Sequence, residues 1–104
     1  MLVLPSKNAR IWERFLEENQ TLVYKYIVRE IKKGIKENKE VVDLFKFDDN
    51  SMHAWVKKTN YLTTLNSAKE VFIKAEEYEN AKKTDDVIRM YYIEQVIRES
   101  IKEE

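Results

Sequence analysis

His53 is the one histidine, and Asp49 stands four residues before it. On a helix the two would share a face, where a carboxylate and an imidazole can begin a metal site or a general base. Neither chemistry is completed. A zinc site takes at least three protein ligands, and the chain has no second His and no Cys. A di-iron bundle needs a Glu-x-x-His motif on two helices. No Gly-rich phosphate loop and no cysteine nucleophile accompanies His53, since the chain holds one Gly and no Cys. Glu76-Glu77-Tyr78-Glu79 and Glu17-Glu18 read as solvated faces. A paired-carboxylate site needs a cleft that a chain of 104 residues has little material to build. The expectation is a protein that is not an enzyme, with no metal and no cofactor.

One stretch offers binding instead. Val41 to Lys58 places an apolar pair, Val41-Val42, ahead of Phe45, then Phe47 among the polar residues Lys46, Asp48, Asp49 and Asn50. Met52 and Trp55 follow three apart, and Lys57-Lys58 close the segment. This pattern resembles the helix-turn-helix of small phage and bacterial regulators and of terminase small subunits. In such a unit Val42, Phe47, Met52 and Trp55 would fill the small core shared by two steeply crossed helices. The resemblance implies that Asn50, Ser51 and His53 face base edges in the major groove of double-stranded DNA, with Lys57 and Lys58 on phosphates. The bland reading of the same residues is an ordinary corner in a helical bundle.

The elements that would hold these residues follow from composition. The chain is of one-domain length, residues 1–104. It is 43% hydrophobic and 12% aromatic, enough for a core, despite 37% charged residues. One Gly and one Pro leave little turn chemistry for a β-rich fold. The expected fold class is therefore all-α: a compact bundle of four to five helices with a helix-turn-helix corner. Without cysteine no disulfide forms. No apolar run approaches the length of a membrane span, and Met1 to Pro5 does not read as a signal peptide. A cytoplasmic protein, with no membrane partner, is expected. The heavy use of Lys, Asn, Ile and Tyr, whose codons are AT-rich, points to a microbial or phage source.

Ile11, Trp12, Phe15, Leu16, Leu22, Val23, Tyr26, Ile27 and Ile31 recur at three- and four-residue steps. They predict a helix from about residue 6 to 33, capped by Ser6 and stopped by Lys32-Lys33-Gly34. Such a helix is about 40 Å long, so it must bend, break near Asn19-Gln20-Thr21 or reach a partner. A short helix is expected from Lys39 to Phe45. A third begins at Asp48 or Asp49 and carries Met52, Trp55, Val56, Leu62 and Leu65. Either it runs on to Lys82, or a fourth starts at the Ser67…Glu70 capping-box spacing. Thr84 caps the last helix, with Asp85 and Asp86 in its first turn.

That last helix is wider in apolar residues than one neighbour needs, with Tyr91, Tyr92, Ile93, Val96, Ile97 and Ile101. Tyr91, Tyr92, Ile93 and Val96 are the expected self-association residues of a homo-oligomer. Formal net charge is zero, but Lys25 to Asn60 holds nine Lys/Arg against six Asp/Glu. Tyr61 to Glu104 holds seven against ten. Two functions remain: a DNA-binding regulatory or packaging protein, and a helical protein–protein interaction module, adaptor or inhibitor, that does not bind nucleic acid.

Overall fold

A computed structural model describes residues 1–102. Strand β1 (Leu2–Leu4) leads through a 3-10 turn (Ser6–Asn8) into α1 (Ala9–Glu18) and α2 (Gln20–Lys36). A β-hairpin follows, β2 (Val41–Phe47) and β3 (His53–Lys57), then a second 3-10 turn (Lys58–Asn60) and two helices, α3 (Tyr61–Lys74) and α4 (Tyr78–Lys102). The three strands form one mixed sheet in the order β1-β2-β3. β1 runs parallel to β2, with Leu2 opposite Phe45 and Leu4 opposite Phe47. β3 runs antiparallel, with Val42 opposite Val56.

The all-α expectation is thus corrected: the protein is mostly helical but carries a three-stranded sheet. The helix-turn-helix corner, Val41 to Lys58, is where the sheet forms. Val42 and Leu44 are buried while Val41 and Asp43 are exposed, the period-two alternation of a half-buried strand. A bulge between Asp43 and Phe45 then shifts the phase, so the next buried residue is Phe47, three beyond Leu44. That step of three gives a strand the spacing of a helix. Val, Phe and Trp also pack better on a pleated surface than around a short helix.

The polar cluster after β2 is a turn, but a hairpin turn. Asn50 takes a positive φ of 63° without glycine, as Asn tolerates. The Ser51 amide donates to Asp49 Oδ1 at 2.9 Å, and the Asn50 amide to the Phe47 carbonyl at 3.0 Å. Asp48 ties the hairpin tip to the first strand. Its amide donates to the Leu4 carbonyl at 2.9 Å, and its Oδ1 accepts from the Ser6 amide at 3.0 Å. These bonds hold both carboxyls below the ordinary aspartate range, Asp48 by Ser6 and Asp49 by Ser51. Ser6 therefore gives its backbone amide to Asp48, and its side chain caps no helix.

The long N-terminal stripe breaks at Asn19, whose φ of −123° and ψ of 44° leave the helix. Its side-chain amide donates to the Phe15 carbonyl at 2.9 Å. Gly34 does not end α2. It lies inside the helix because a β-carbon there would stand 2.4 Å from Val42 Cγ2 and 2.8 Å from the Tyr61 hydroxyl. The helix stops at Asn38 instead, φ 54°, with amide bonds from Lys39 to Gly34 and from Asn38 to Ile35. α3 ends the same way at Glu76, φ 60°. Neither the Ser67…Glu70 spacing nor Thr84 caps a helix. Ser67 lies inside α3, and Thr84, fully buried inside α4, donates to the Asn80 carbonyl at 2.8 Å.

The core lies where α2 and α3 meet the inner face of the sheet, with the first half of α4 packed on those two helices. Ile31, Leu65, Ala68 and Phe72 are sealed within it, with Val42, Leu44 and Val56 from the strands and Ala81 and Val87 from α4. Tyr61 is buried too, and its hydroxyl donates to the Lys39 carbonyl at 2.8 Å. Burial raises its pKa above the ordinary tyrosine value. The molecule measures 53 × 34 × 15 Å, with a radius of gyration of 15.3 Å. A rounded domain of about 100 residues would have about 13 Å. This one is a flat slab with a long helix along it.

Candidate functional site

The residues expected to contact DNA sit on the hairpin. Asn50 and Ser51 form its turn, and His53 and Lys57 lie on the outer face of β3. His53 Nε2 is 3.0 Å from Asp43 Oδ1, and its ring lies 5.2 Å from that of Trp55. Trp55 is half exposed and fills no helical corner. Lys58 is turned inward, donating to Asn38 Oδ1 at 2.8 Å with Glu40 at 3.9 Å. A recognition helix is absent from Val41–Lys58, because Ser51 to Lys57 is turn and strand. Among the described residues no cluster of His, Asp or Glu is arranged for a metal. No described helix is long and apolar enough to cross a membrane.

The feature that stands apart is α4. At 3.6 residues per turn, Ala81, Thr84, Val87 and Ile88 point one way, into the core. Lys82, Lys83, Asp86 and Arg89 point outward and are exposed, as water demands. One turn later the pattern inverts. Glu94, Gln95 and Arg98 now occupy the inward side, beside Gly34, Ile35, Asn38 and Tyr61. Glu94 and Arg98 pair with each other at 3.4 Å. Ile93, Val96, Ile97 and Ile101 stand outward, each between 48% and 66% exposed. The apolar faces of the two halves point in opposite directions. Of the residues expected to self-associate, Tyr92, Ile93 and Val96 lie on this exposed stripe. Tyr91 does not: it packs edge-on against Tyr61, ring centroids 6.4 Å apart.

Compared with known protein families, curated proteins and solved structures, the chain matches none. Its surface must therefore speak for itself.

Of the hollows that flank α2, two have mainly apolar walls. The larger, about 650 Å³, runs between α2 and the first half of α4. Val28, Phe72, Val87 and Met90 give it an apolar floor, and Lys25, Arg29, Lys32 and Lys83 crowd its rim against one acid, Asp86. Lys25 is 3.4 Å from Glu77, and Arg29 is 3.7 Å from Glu30. Lys32 has no ion pair among the described residues. Burial pushes the Glu77 carboxyl up, but hydrogen bonds from Asn80 and Lys25 outweigh it and leave the group below its ordinary value. The spacing of Lys25, Arg29 and Lys32, four and three apart, puts all three on one face of α2. That spacing is legible in the sequence, within the basic stretch from Lys25 to Asn60.

The second hollow, about 440 Å³, lies between β1 and α1 and is almost wholly apolar, with Leu2, Trp12, Phe15, Leu22 and Phe45 on its walls. α1 buries no residue completely. Tyr26 closes the hollow's inner end, its hydroxyl donating to the Leu44 carbonyl at 2.7 Å. Burial, then the charge of Glu30, raises the Tyr26 pKa.

Proposed function

We propose that this protein is a non-catalytic interaction protein that works by assembling through the outward stripe of α4. The observation that supports this reading is the inversion along that helix. Four branched aliphatic residues within nine positions stand in water, while Glu94 and Arg98 of the same turns face the protein. Each such side chain gains on the order of 1.5–3 kcal/mol when fully buried. An exposed row of them on a regular helix is the arrangement that helix–helix association removes from water. The flat outline of the molecule leaves that row uncovered by any other element of the described chain.

The test is size-exclusion chromatography with light scattering on the intact protein and on Ile93→Glu/Ile97→Glu. The intact protein is expected to elute as more than one chain, and the variant as a single chain with unchanged far-ultraviolet circular dichroism. A single chain for the intact protein at high micromolar concentration would overturn the reading.

A further inference from the structure

The segment before Asn19 stands apart from the core. No residue before Ile27 is buried. β1 lies on β2, the Ser6 amide reaches Asp48, and α1 rests over the apolar hollow without sealing any side chain. The buried cluster begins at Ile27 and includes none of these residues. One residue joins this arm to the body. Asn19 leaves the helical conformation, while Ala9–Glu18 before it and Gln20–Lys36 after it are helical. Its amide still donates to the Phe15 carbonyl and its carbonyl still accepts from the Val23 amide, both at 3.0 Å. Neither proline nor glycine enforces the break. The apolar stripe keeps its helical phase across it, since Phe15 to Leu22 and Leu16 to Val23 are both steps of seven. A continuous helix would give the amides of Gln20, Thr21 and Leu22 the Leu16, Glu17 and Glu18 carbonyls that a helix start goes without. Local sequence favours one helix here, and the seat of the arm imposes two.

We infer that β1 and α1 form an exchangeable arm: when chains fold together at high concentration, α1 and α2 straighten into one helix and the arm of each copy takes the other's seat. A straightened arm cannot stay on its own chain. Trp12 and Tyr26 wall the same hollow, and in a straight helix they would stand about 21 Å apart along the axis. What fills the vacated seat is an identical arm. Leu2 opposite Phe45, Leu4 opposite Phe47 and the Ser6 amide on Asp48 are contacts that the structure already shows within one chain. Exchange therefore needs no new complementarity and changes only the hinge. Two arms traded between two copies leave no seat empty, so the dimer closes. A lone chain keeps its arm for two reasons. Its own seat is tethered and so is met at a high effective concentration. The Asn19 side-chain amide also holds the break, donating to the Phe15 carbonyl at 2.9 Å.

The chain has no cysteine, and Val3 and Lys46 stand opposite each other on β1 and β2. Neighbouring strands lie within disulfide reach. Val3→Cys/Lys46→Cys thus forms one bridge, within a chain when the arm is on its own sheet and between chains when it is exchanged. The double variant is unfolded in urea, refolded under reductant at high and at low chain concentration, then oxidised and run on a denaturing gel. Covalent dimer beyond that of either single-cysteine variant is expected at high concentration, and single linked chains at low. Asn19→Ala, which removes the side-chain bond and favours helix, should raise the dimer share several-fold. Gln20→Pro should return it to the single-cysteine background, because proline fits the first position of α2 but not the interior of a continuous helix. Single linked chains at both concentrations even in Asn19→Ala, or a dimer share that a folded Gln20→Pro leaves unchanged, would overturn the exchange. The gel reads which chain's β2 holds β1, so the result is separate from whether α4 assembles.

Discussion

The two halves of α4 use the same side of one helix for opposite purposes. Up to Arg89 the outward side is charged and the inward side apolar. From Tyr92 onward the outward side is aliphatic and the inward side holds Glu94, Gln95 and Arg98. The first half is anchored in its own chain, on α3 and α2. The second rests on a thin polar layer over Gly34 and Tyr61. The first half therefore belongs to the fold and the second to whatever the fold meets. Stability and assembly should separate along the helix, and the following substitutions break or sharpen that division.

The largest effect is expected under the first half. Phe72 is sealed between α2, α3 and α4 and also floors the basic groove. Phe72→Ala should cost about 3–5 kcal/mol of unfolding free energy in urea titration, by lost burial and a cavity. A loss below about 1 kcal/mol would mean the core is not where α4 is anchored.

Gly34→Ala comes next. The added β-carbon meets Val42 and Tyr61, both buried and held by the sheet and by the Lys39 carbonyl. Overpacking should cost about 1–3 kcal/mol, offset by the better helix propensity of Ala, about 1 kcal/mol. Net destabilisation in the same titration is expected. Net stabilisation would show that Val42 and Tyr61 move aside.

Acid should act through the hairpin and through Glu77 at the start of α4, not through the second half of α4. The folded carboxyls of Asp48 and Asp49 lie below their unfolded values. Their contribution is present above the ordinary aspartate range and is lost as pH falls through the folded pKa values. The melting temperature should fall as pH drops below the ordinary aspartate value, and fall less in Asp48→Ala, which has already lost the link to Ser6. Parallel curves for the two proteins would remove Asp48 from that account.

The smallest effect on stability is expected in the second half. Ile97→Ser at a concentration that keeps the protein monomeric should change unfolding free energy by no more than about 0.5 kcal/mol, as surface changes do. A cost of 2 kcal/mol or so would place Ile97 in the core of its own chain.

Some of this could be read from the sequence. The helix break at Asn19 was one of three outcomes forced by the length of the N-terminal stripe. The polar cluster Lys46 to Asn50 marked a turn, and the excess apolar width of the last helix marked an unsatisfied face. The strands were hidden for a specific reason. One bulge in β2 converts Leu44-to-Phe47 into a helical step, and Met52-to-Trp55 has the same spacing by accident, since Trp55 lies on the outer face. Gly34 after Lys32-Lys33 has the local pattern of a stop signal, because nothing local distinguishes a glycine needed for a turn from one needed for close approach by Val42 and Tyr61. Thr84 looked like a cap because Lys82 and Lys83 precede it. Burial against α3, a tertiary fact, carries the helix through. Of the basic groove, the α2 side was legible in the spacing of Lys25, Arg29 and Lys32, but the Lys83 that α4 sets across from them was not, because only the packing of α4 on α2 brings it there.

The most direct measurement is sedimentation equilibrium on three proteins side by side: the intact chain, Ile93→Glu/Ile97→Glu, and Lys82→Glu/Arg89→Glu. Each variant places two new glutamates on the outward side of α4, one pair in each half. The division of the helix predicts that the intact chain and the first-half variant assemble alike, and that the second-half variant is a single chain at every concentration. An intact protein that is itself a single chain throughout, or two variants that behave identically, would contradict it.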